Sequence, residues 1–318
     1  MHASTDSSQQ ERYRICDVCS YKDKRAVSNI IDKLVKVDGI TINGDETWTP
    51  ESEVFIKGRK LTIPSLYVSA HELTRDEYKK IMDKDSSDKS PICDKAGKRF
   101  DDSAVIPNAP VSNLSWFDAI VICNKLSKKE HLNPCYTING SENPDDWGAV
   151  PTSSDSDGYD SWDSCKCDFT KSGYRLPTEV EWEYIARGRQ NYKYSGSDTL
   201  NDVGWYMENT KGDFNMSTGL REVEQKKCNG YGLYDMSGNA PELCWDWYWV
   251  TGKNWVIKEV LSKNTPSTGP AYNYSNRGIV IRGGDNGSSA SECEVAGRHN
   301  RGRTYAYCGL RVVRTVTE

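Results

Sequence analysis

The stretch "YRLPTEVEWEYIARG" (174–188) contains the start, the apolar face and the end of one short helix. Thr178 can accept hydrogen bonds from the first-turn amides while Glu181 reaches back to the amide of Thr178, which is the capping-box pattern of a helix start. Gly188 suits the left-handed position that follows a helix end. The apolar side chains on one face are Trp182, Ile185 and Ala186. The spacing therefore predicts an amphipathic helix packed against a core.

Two upstream segments repeat this design. In "TRDEYKKIMDK" (74–84), Thr74 and Glu77 form a second capping box ahead of an apolar stripe. In "SWFDAIVICNKLSKK" (115–129), Ser115 can cap a helix whose apolar residues also recur at helical spacing. Core packing is sufficient to explain all three apolar stripes.

Strand patterns lie on both sides of these helices. The segments are "RKLTIPSLYVS" (59–69), "GIVIRGG" (278–284) and "GLRVVRTV" (309–316). The glycine pair that ends the second segment predicts a bend. Because long connections rich in Gly, Ser, Asn and Asp separate these elements, we expect a single loop-rich α+β domain rather than a doubly wound sheet.

Composition excludes several classes of function. The chain has 318 residues, of which 36% are hydrophobic, and its 10 Trp and 18 Tyr must supply much of the buried surface. A formal net charge of −5 does not indicate the excess of basic residues that is typical of nucleic-acid binding. No apolar run approaches the ~20 residues of a membrane span. Residues 1–29 are polar and are interpreted as a tail or linker ahead of a domain over 30–318.

The 11 cysteines do not predict a metal centre. An odd number leaves at least one thiol unpaired within a monomer. Cys16/Cys19 and Cys165/Cys167 could together supply four thiolates for zinc, but they lie far apart in the sequence and their flanks are unlike those of a zinc ribbon. Free thiols or local disulfides are the favoured interpretation.

Two motifs carry a family resemblance, "YRLPTEVEWEYIARG" (174–188) and "NGYGLYDMSGNAPELCWDWY" (229–248). They resemble the R-L-P-T-E-x-E-W-E-Y and N-G-x-G-L-Y-D-M-x-G-N-x-W-E-W patterns of the formylglycine-generating enzymes, also called sulfatase-modifying factors. Further matches, in family order, are "YVSAHELTRDEYKKIM" (67–82), "PVSNLSWFDAIVICNKLS" (110–127), "VIRGG" (280–284) and "GLRVVR" (309–314). The resemblance implies a C-type-lectin type of fold whose N- and C-terminal strands pair.

The same resemblance argues against the family's oxidase chemistry. Its oxidases carry two cysteines after the R-G-G motif that bind copper, a soft ion that prefers thiolates. The corresponding positions are Ala290 and Val295, and only Cys293 lies nearby. We therefore expect a protein that is not an enzyme. A copper-dependent formylglycine-generating oxidase that uses Cys293 is kept as an alternative.

Calcium is the one metal that the resemblance implies for this chain. The family site maps onto the side chains of Asp235 and Glu242 and the carbonyls of Gly238 and Ala240, and such hard oxygen ligands suit Ca²⁺. Equally, Asp235 can cap a turn and Glu242 can pair with an arginine. No cofactor is required, and a calcium-stabilised structural module with a fixed partner is a further alternative.

The segment from "RGG" through "ASECEVAGR" to "GLRVVR" (282–314) resembles the variable region of proteins diversified by a retroelement, of the spirochaetal surface lipoprotein type. In such proteins the miscopied codons end in T or C. Every residue of 285–289 and 299–308 has such a codon, and neither block contains Lys or Glu. The candidate ligand-binding residues are Asp285, Asn286, Gly287, Ser288, Ser289, Gly297, His299, Asn300, Arg301, Gly302, Arg303, Thr304, Tyr305, Ala306, Tyr307 and Cys308.

These observations predict a non-catalytic receptor or adhesin with a variable region at about 285–308. Diversity must lie on exposed backbone, because random substitution in a packed core would destabilise the fold. Tyr and Arg side chains suit contact with a macromolecular ligand, for which a protein is the favoured class. The resemblance implies display at the cell surface, with a membrane connection only through an N-terminal lipid anchor. An ordinary irregular surface loop is the alternative.

Overall fold

The computed structural model describes residues 30–84, 106–210, 220–248, 261–269 and 278–317. Its helices are α1 (Arg75–Met82), α2 (Trp116–Lys129), α3 (Tyr159–Asp163), α4 (Glu179–Arg187), α5 (Leu200–Val203) and α6 (Met207–Thr210). Its strands are β1 (Leu34–Val37), β2 (Ile40–Ile42), β3 (Leu61–Ile63), β4 (Leu66–Ser69), β5 (Tyr136–Thr137), β6 (Lys166–Cys167), β7 (Glu242–Tyr248), β8 (Gly278–Arg282), β9 (His299–Arg301) and β10 (Val313–Thr315). Long loops join these short elements, which confirms the predicted loop-rich α+β class.

The three predicted helices are present and begin at the predicted caps. The Thr74 and Thr178 side chains accept from the amides of Glu77 and Glu181, and both reciprocal bonds of each capping box are made. Ser115 caps α2 in the same way, with Asp118 as its partner. Gly188 ends α4 with φ of 57°, the left-handed conformation that favours glycine.

Strands from the two ends of the described chain share one sheet. It is three-stranded in the order β1-β4-β10, and both pairings are antiparallel. Val313 lies opposite Val68, so β10 forms one edge of the sheet and the N-terminal strand β1 the other. The C-terminal strand β10 thus pairs with β4 from the N-terminal part of the domain, as predicted, and shares the sheet with β1 without pairing with it.

A second three-stranded sheet, in the order β7-β8-β9, positions the candidate site. After β8 the chain turns through Gly283 and Gly284, which have φ of 90° and 69°. A side chain on Gly284 would meet the Cys293 sulfur at 2.7 Å, so this position requires glycine on grounds of space as well as conformation. The bend sends residues 285–289 away from the sheet, and the chain returns as β9.

Aromatic side chains build much of the core, as the composition indicated. Trp116 and Phe117 of α2 are fully buried, and Phe117 packs edge-on against Trp162 with 5.5 Å between ring centroids. A second apolar cluster surrounds α4 and includes Trp182, Leu233 and Val313. Both clusters contact the sheet β7-β8-β9, so the candidate site rests on a packed base.

Residues 1–29, which were interpreted as a tail or linker, lie outside the described residues, as do Cys16, Cys19 and Cys93. Within the described part of the chain the eight cysteines are free thiols, including Cys165 and Cys167. None of the helices seen there combines the length and the apolar content needed to cross a membrane.

Candidate functional site

The first block, residues 285–289, is a turn organised by the side chain of Asp285. Its Oδ1 accepts from the amide of Gly287 at 2.8 Å and from the hydroxyl of Ser288 at 2.9 Å. The amide of Asp285 in turn donates to the Ser288 hydroxyl at 3.0 Å. Hydrogen bonds to its own polar side chains therefore stabilise the turn of this block.

Helix α6 supports this block from outside the predicted site. The Met207 amide donates to the carbonyl of Ser288 at 3.1 Å, and the Thr210 hydroxyl donates to the carbonyl of Asn286 at 2.8 Å. The Met207 side chain is 41% exposed, which places a large apolar group beside the block. No sequence pattern predicted α6, because a four-residue helix has no recognisable periodicity.

The framework between the blocks is anchored at both ends. A 3-10 turn spans Ala290–Cys293 and is capped by reciprocal bonds between Ser289 and Glu292. Cys293 and Val295 pack inward and are fully buried, whereas Ala296 is only partly buried. Arg298 then makes a bidentate ion pair with the buried carboxylate of Glu179, with both N–O distances at 2.5 Å.

The second block, residues 299–308, contains most of the exposed residues, and Ser289 is the exposed member of the first block. It starts as β9, whose Asn300 pairs with Val280, and then turns through a bond from the Tyr305 amide to the carbonyl of Gly302 at 3.0 Å. Tyr305 is 52% exposed, and Arg301, Gly302 and Ala306 are also exposed. The partly buried residues are His299, Asn300, Thr304 and Tyr307.

The two blocks meet through one hydrogen bond. The Tyr307 hydroxyl donates to Oδ2 of Asp285 at 3.0 Å. This bond joins a carboxylate of the first block to a phenol of the second block. Burial, with the adjacent Asp285 carboxylate, raises the pKa of Tyr307. The guanidinium of Arg301 lies 5.8 Å from the ring centroid of Tyr305 and 5.7 Å from that of Tyr307. The segments thus form one surface, which we call the block surface: the exposed side chains of 285–289 and 299–308.

The expectation of exposed backbone throughout both blocks is wrong at four positions. Asp285 and Asn286 are 8% and 2% exposed, Arg303 is 5% exposed and Cys308 is fully buried. Arg303 lies between two indole rings, 3.9 Å from the centroid of Trp116 and 4.0 Å from that of Trp247, and it donates to Asp163. These residues support the block surface, because their side chains point into the fold rather than to solvent.

The geometry around Cys293 does not suit a copper centre. Its thiol is fully buried in an apolar cluster with Tyr194, Leu200, Val203 and Tyr206. Burial, and secondarily the carboxylates of Asp285 and Glu292, raises the pKa of this thiol. Ala290 and Val295, the positions that the resemblance assigns to the copper cysteines, offer no ligand atoms on their side chains. A buried, protonated single thiol is a poor ligand for a soft metal.

Among the positions mapped for calcium, both oxygens of Glu242 are already engaged, whereas Oδ1 of Asp235 is buried and accepts no hydrogen bond within the described part of the chain. Both Glu242 oxygens are engaged by Arg311, the closest contact being 2.7 Å from Nη2 to Oε1, and Oε2 also accepts from Trp182 Nε1 at 2.7 Å. The arginine pairing weighed as the alternative is therefore present. Asp235 Oδ2 accepts from the amide of Glu224 at 2.8 Å, and burial raises the pKa of Asp235 to about 6. No cluster of three or more His, Cys, Asp or Glu side chains suited to a metal occurs among the described ranges.

The chain matches a known domain family and several solved structures. The model of the sulfatase-modifying factor enzyme 1-like domain matches residues 29–316. The structure superposes on Treponema denticola variable protein 1 with a TM-score of 0.66 and 28% identity, covering 96% of this chain and 99% of the other. The structure of CarF matches with a TM-score of 0.61 at 21% identity, covering 91% of this chain and all of that one, and it supports the fold alone.

Two curated relatives add sequence evidence. Chaperone protein LppX of Paenibacillus barcinonensis is 32% identical over 248 residues, which is 72% of this chain and 76% of that protein. The formylglycine-generating enzyme of Streptomyces coelicolor is 33% identical over 135 residues, covering 39% of this chain and only 40% of the enzyme. The resemblance inferred from the motifs is confirmed, and the protein belongs to the sulfatase-modifying factor enzyme 1-like domain family.

Proposed function

We propose that this protein is a non-catalytic ligand-binding protein, a receptor or adhesin, whose block surface is diversified by a retroelement. The observation that carries the proposal is the junction of the two blocks, where Tyr307 bonds Asp285 and places Arg301 and Tyr305 on one exposed face. Segments that are separate in sequence thereby act as a single contact surface. A macromolecular ligand, and specifically a protein, suits a surface of tyrosine and arginine.

The packing beneath this face supports tolerance to substitution. The framework between the blocks is held by Cys293, Val295 and the Arg298–Glu179 ion pair, all outside the blocks. In contrast, the exposed ring of Tyr305 packs beside Arg301 and Tyr307, which belong to the second block themselves. Changes at the exposed Arg301, Tyr305 and Ala306 therefore leave the framework contacts in place, whereas the exposed Ser289 also caps the turn that contains Glu292.

The similarity to Treponema denticola variable protein 1 supports a variable protein, and the short coverage of the enzymes supports a separate function. The buried Cys293 points the same way, because an oxidase needs a thiolate that metal and substrate can reach. Display at the cell surface, through a lipid anchor N-terminal to the domain, belongs to the same proposal. The name of the relative LppX and the variable-protein neighbour are compatible with that location.

Sequencing this gene and its neighbourhood from several clones tests the proposal. We expect differences concentrated in codons 285–289 and 299–308, at adenines of an adjacent near-copy, with the framework codons 290–296 and 298 unchanged. Among the block codons, those for the exposed Arg301, Tyr305 and Ala306 should vary most freely. Substitutions spread evenly along the gene, with no adjacent near-copy or reverse transcriptase gene, would contradict the proposal.

A further inference from the structure

We propose that Arg301, flanked by Tyr305 and Tyr307, is a binding site for a carboxylate of an acidic protein segment. This inference rests on the proposed function, because it names the class of partner that the block surface takes. It concerns the variant of the surface carried by this chain, and it follows from how Arg301 is paired, oriented and exposed.

Arg301 differs from the other arginines of the site in its charge pairing. Arg298 is paired with Glu179, Arg303 with Asp163 and Arg311 with Glu242. Arg301 donates from Nη1 to the carbonyl of its neighbour Asn300 at 2.9 Å and forms no ion pair with any carboxylate in the described ranges. Its side chain is exposed, so its remaining N–H groups face solvent.

Glu292 is an acidic side chain near Arg301, and one of its carboxylate oxygens is already engaged. Its Oε2 accepts from both the amide and the hydroxyl of Ser289, each at 2.8 Å. These bonds lower the pKa of Glu292, with a smaller contribution from His299 and Arg301. Glu292 is therefore ionised and held in the cap of its own turn. It makes no ion pair with the guanidinium of Arg301 in the described structure.

The rings beside Arg301 restrict where the guanidinium can go. Tyr307 is fixed by its bond to the buried Asp285, and Tyr305 lies 5.9 Å from Tyr307 with the ring planes tilted by 45°. A cation held over aromatic faces loses less conformational entropy on binding than one on a free chain. The planar fork of a guanidinium then matches a carboxylate in a bidentate manner.

The surroundings favour a protein as the source of the carboxylate. The two phenol rings, together with Ala306, give apolar contact area directly beside the charge. This combination suits an Asp or Glu side chain followed by an apolar or aromatic residue. A polyanion with closely spaced phosphates would need more cations than the single guanidinium of Arg301.

A random-peptide display library tests the assignment, with wild-type protein as target and the Arg301→Ala, Tyr305→Ala double variant for counter-selection. We expect the recovered peptides to be enriched in Asp and Glu next to apolar residues. Their affinity should fall about 10- to 100-fold with Arg301→Ala, and by a smaller factor with Arg301→Lys, which keeps the charge and loses the fork. Changing the acidic residue of the peptide to its amide should cost a similar factor.

The matched control is Arg189→Ala. Arg189 is also an exposed arginine over a tyrosine ring, 5.4 Å from the centroid of Tyr231, but it lies outside both blocks and should leave peptide affinity unchanged. Peptides that depend on the blocks but lack acidic residues, or no peptides above the double-variant background, would overturn the assignment and leave the proposed function standing. Peptides insensitive to every substitution in 285–289 and 299–308 would instead count against the proposed function. Selective capture of acidic polysaccharide over acidic peptide would also overturn the choice of a protein ligand.

Discussion

The Cζ atom of Arg303 lies 3.9 Å from the ring centroid of Trp116, inside the fold and beneath a surface that the sequence predicted to be exposed. The ring centroid of Trp247 lies 4.0 Å from the same atom, and Asp163 accepts from Nη1 at 3.2 Å. Burial of a charge is tolerated here because rings and a carboxylate replace water around it. The second block therefore contains a structural residue between exposed ones.

Replacement of Arg303 by Ala should destabilise the protein. The change removes the cation–π contacts with Trp116 and Trp247 and takes away the arginine that donates to Asp163, so we expect a loss of about 2–4 kcal/mol in the free energy of unfolding. Urea denaturation measures this loss. Arg301→Ala is the matched control, with an expected change below about 0.5 kcal/mol because that side chain is exposed. Equal effects of the two substitutions would show that Arg303 is not a supporting residue.

The bond between Tyr307 and Asp285 should be measurable in the same way. Tyr307→Phe keeps the ring and removes the donor to a buried carboxylate, which should cost about 1–2 kcal/mol. Tyr305→Phe removes the hydroxyl of a tyrosine that is 52% exposed and should be neutral within about 0.5 kcal/mol. If Tyr307→Phe were as neutral as its control, the bond would not be what holds the blocks together.

Glu242 should act as the partner of Arg311 rather than as a calcium ligand. Glu242→Gln leaves a fully buried guanidinium without its countercharge, so we expect a loss of about 3 kcal/mol or more in unfolding free energy. Glu294→Gln, which breaks an exposed pair with Lys193, should cost less than about 1 kcal/mol. The melting temperature of the wild-type protein should be the same in calcium and in chelator. A fall on chelation that Glu242→Gln abolishes would restore the calcium interpretation.

Local patterns in the sequence were sufficient for the helices and their caps, because a capping box such as Thr178 with Glu181 involves residues three positions apart. The pairing of the terminal strands followed from the family motifs. The burial of Arg303 could not be predicted, since it depends on Trp116 and Trp247, which the fold brings from distant parts of the chain. The support that α6 gives to Asn286 was missed for the same reason.

The cap formed by Glu292 should make stability depend on pH. Hydrogen bonds from the Ser289 amide, and then from its hydroxyl, hold the pKa of Glu292 below that of an ordinary glutamate. A carboxyl group with a lowered folded-state pKa stabilises the protein above its unfolded-state pKa, and this contribution is lost as the pH falls through the folded-state value. Glu292→Gln should therefore lower the unfolding free energy by about 0.5–1 kcal/mol at pH 7, and the difference should shrink below pH ~4.5. Denaturation curves of both proteins at several pH values measure this, and a difference that grows on acidification would contradict it.

Alkylation distinguishes a buried, structural thiol from a reactive one. Cys293 is fully buried with a raised pKa, so little thiolate is present and none of it reaches solvent. Treatment of the native protein with iodoacetamide at pH 8, followed by peptide mass analysis, should label the partly exposed Cys228 and leave Cys293 unmodified until denaturant is added. Labelling of Cys293 at the rate of Cys228 would instead indicate an accessible nucleophile, and copper binding by that thiol would then be the next measurement.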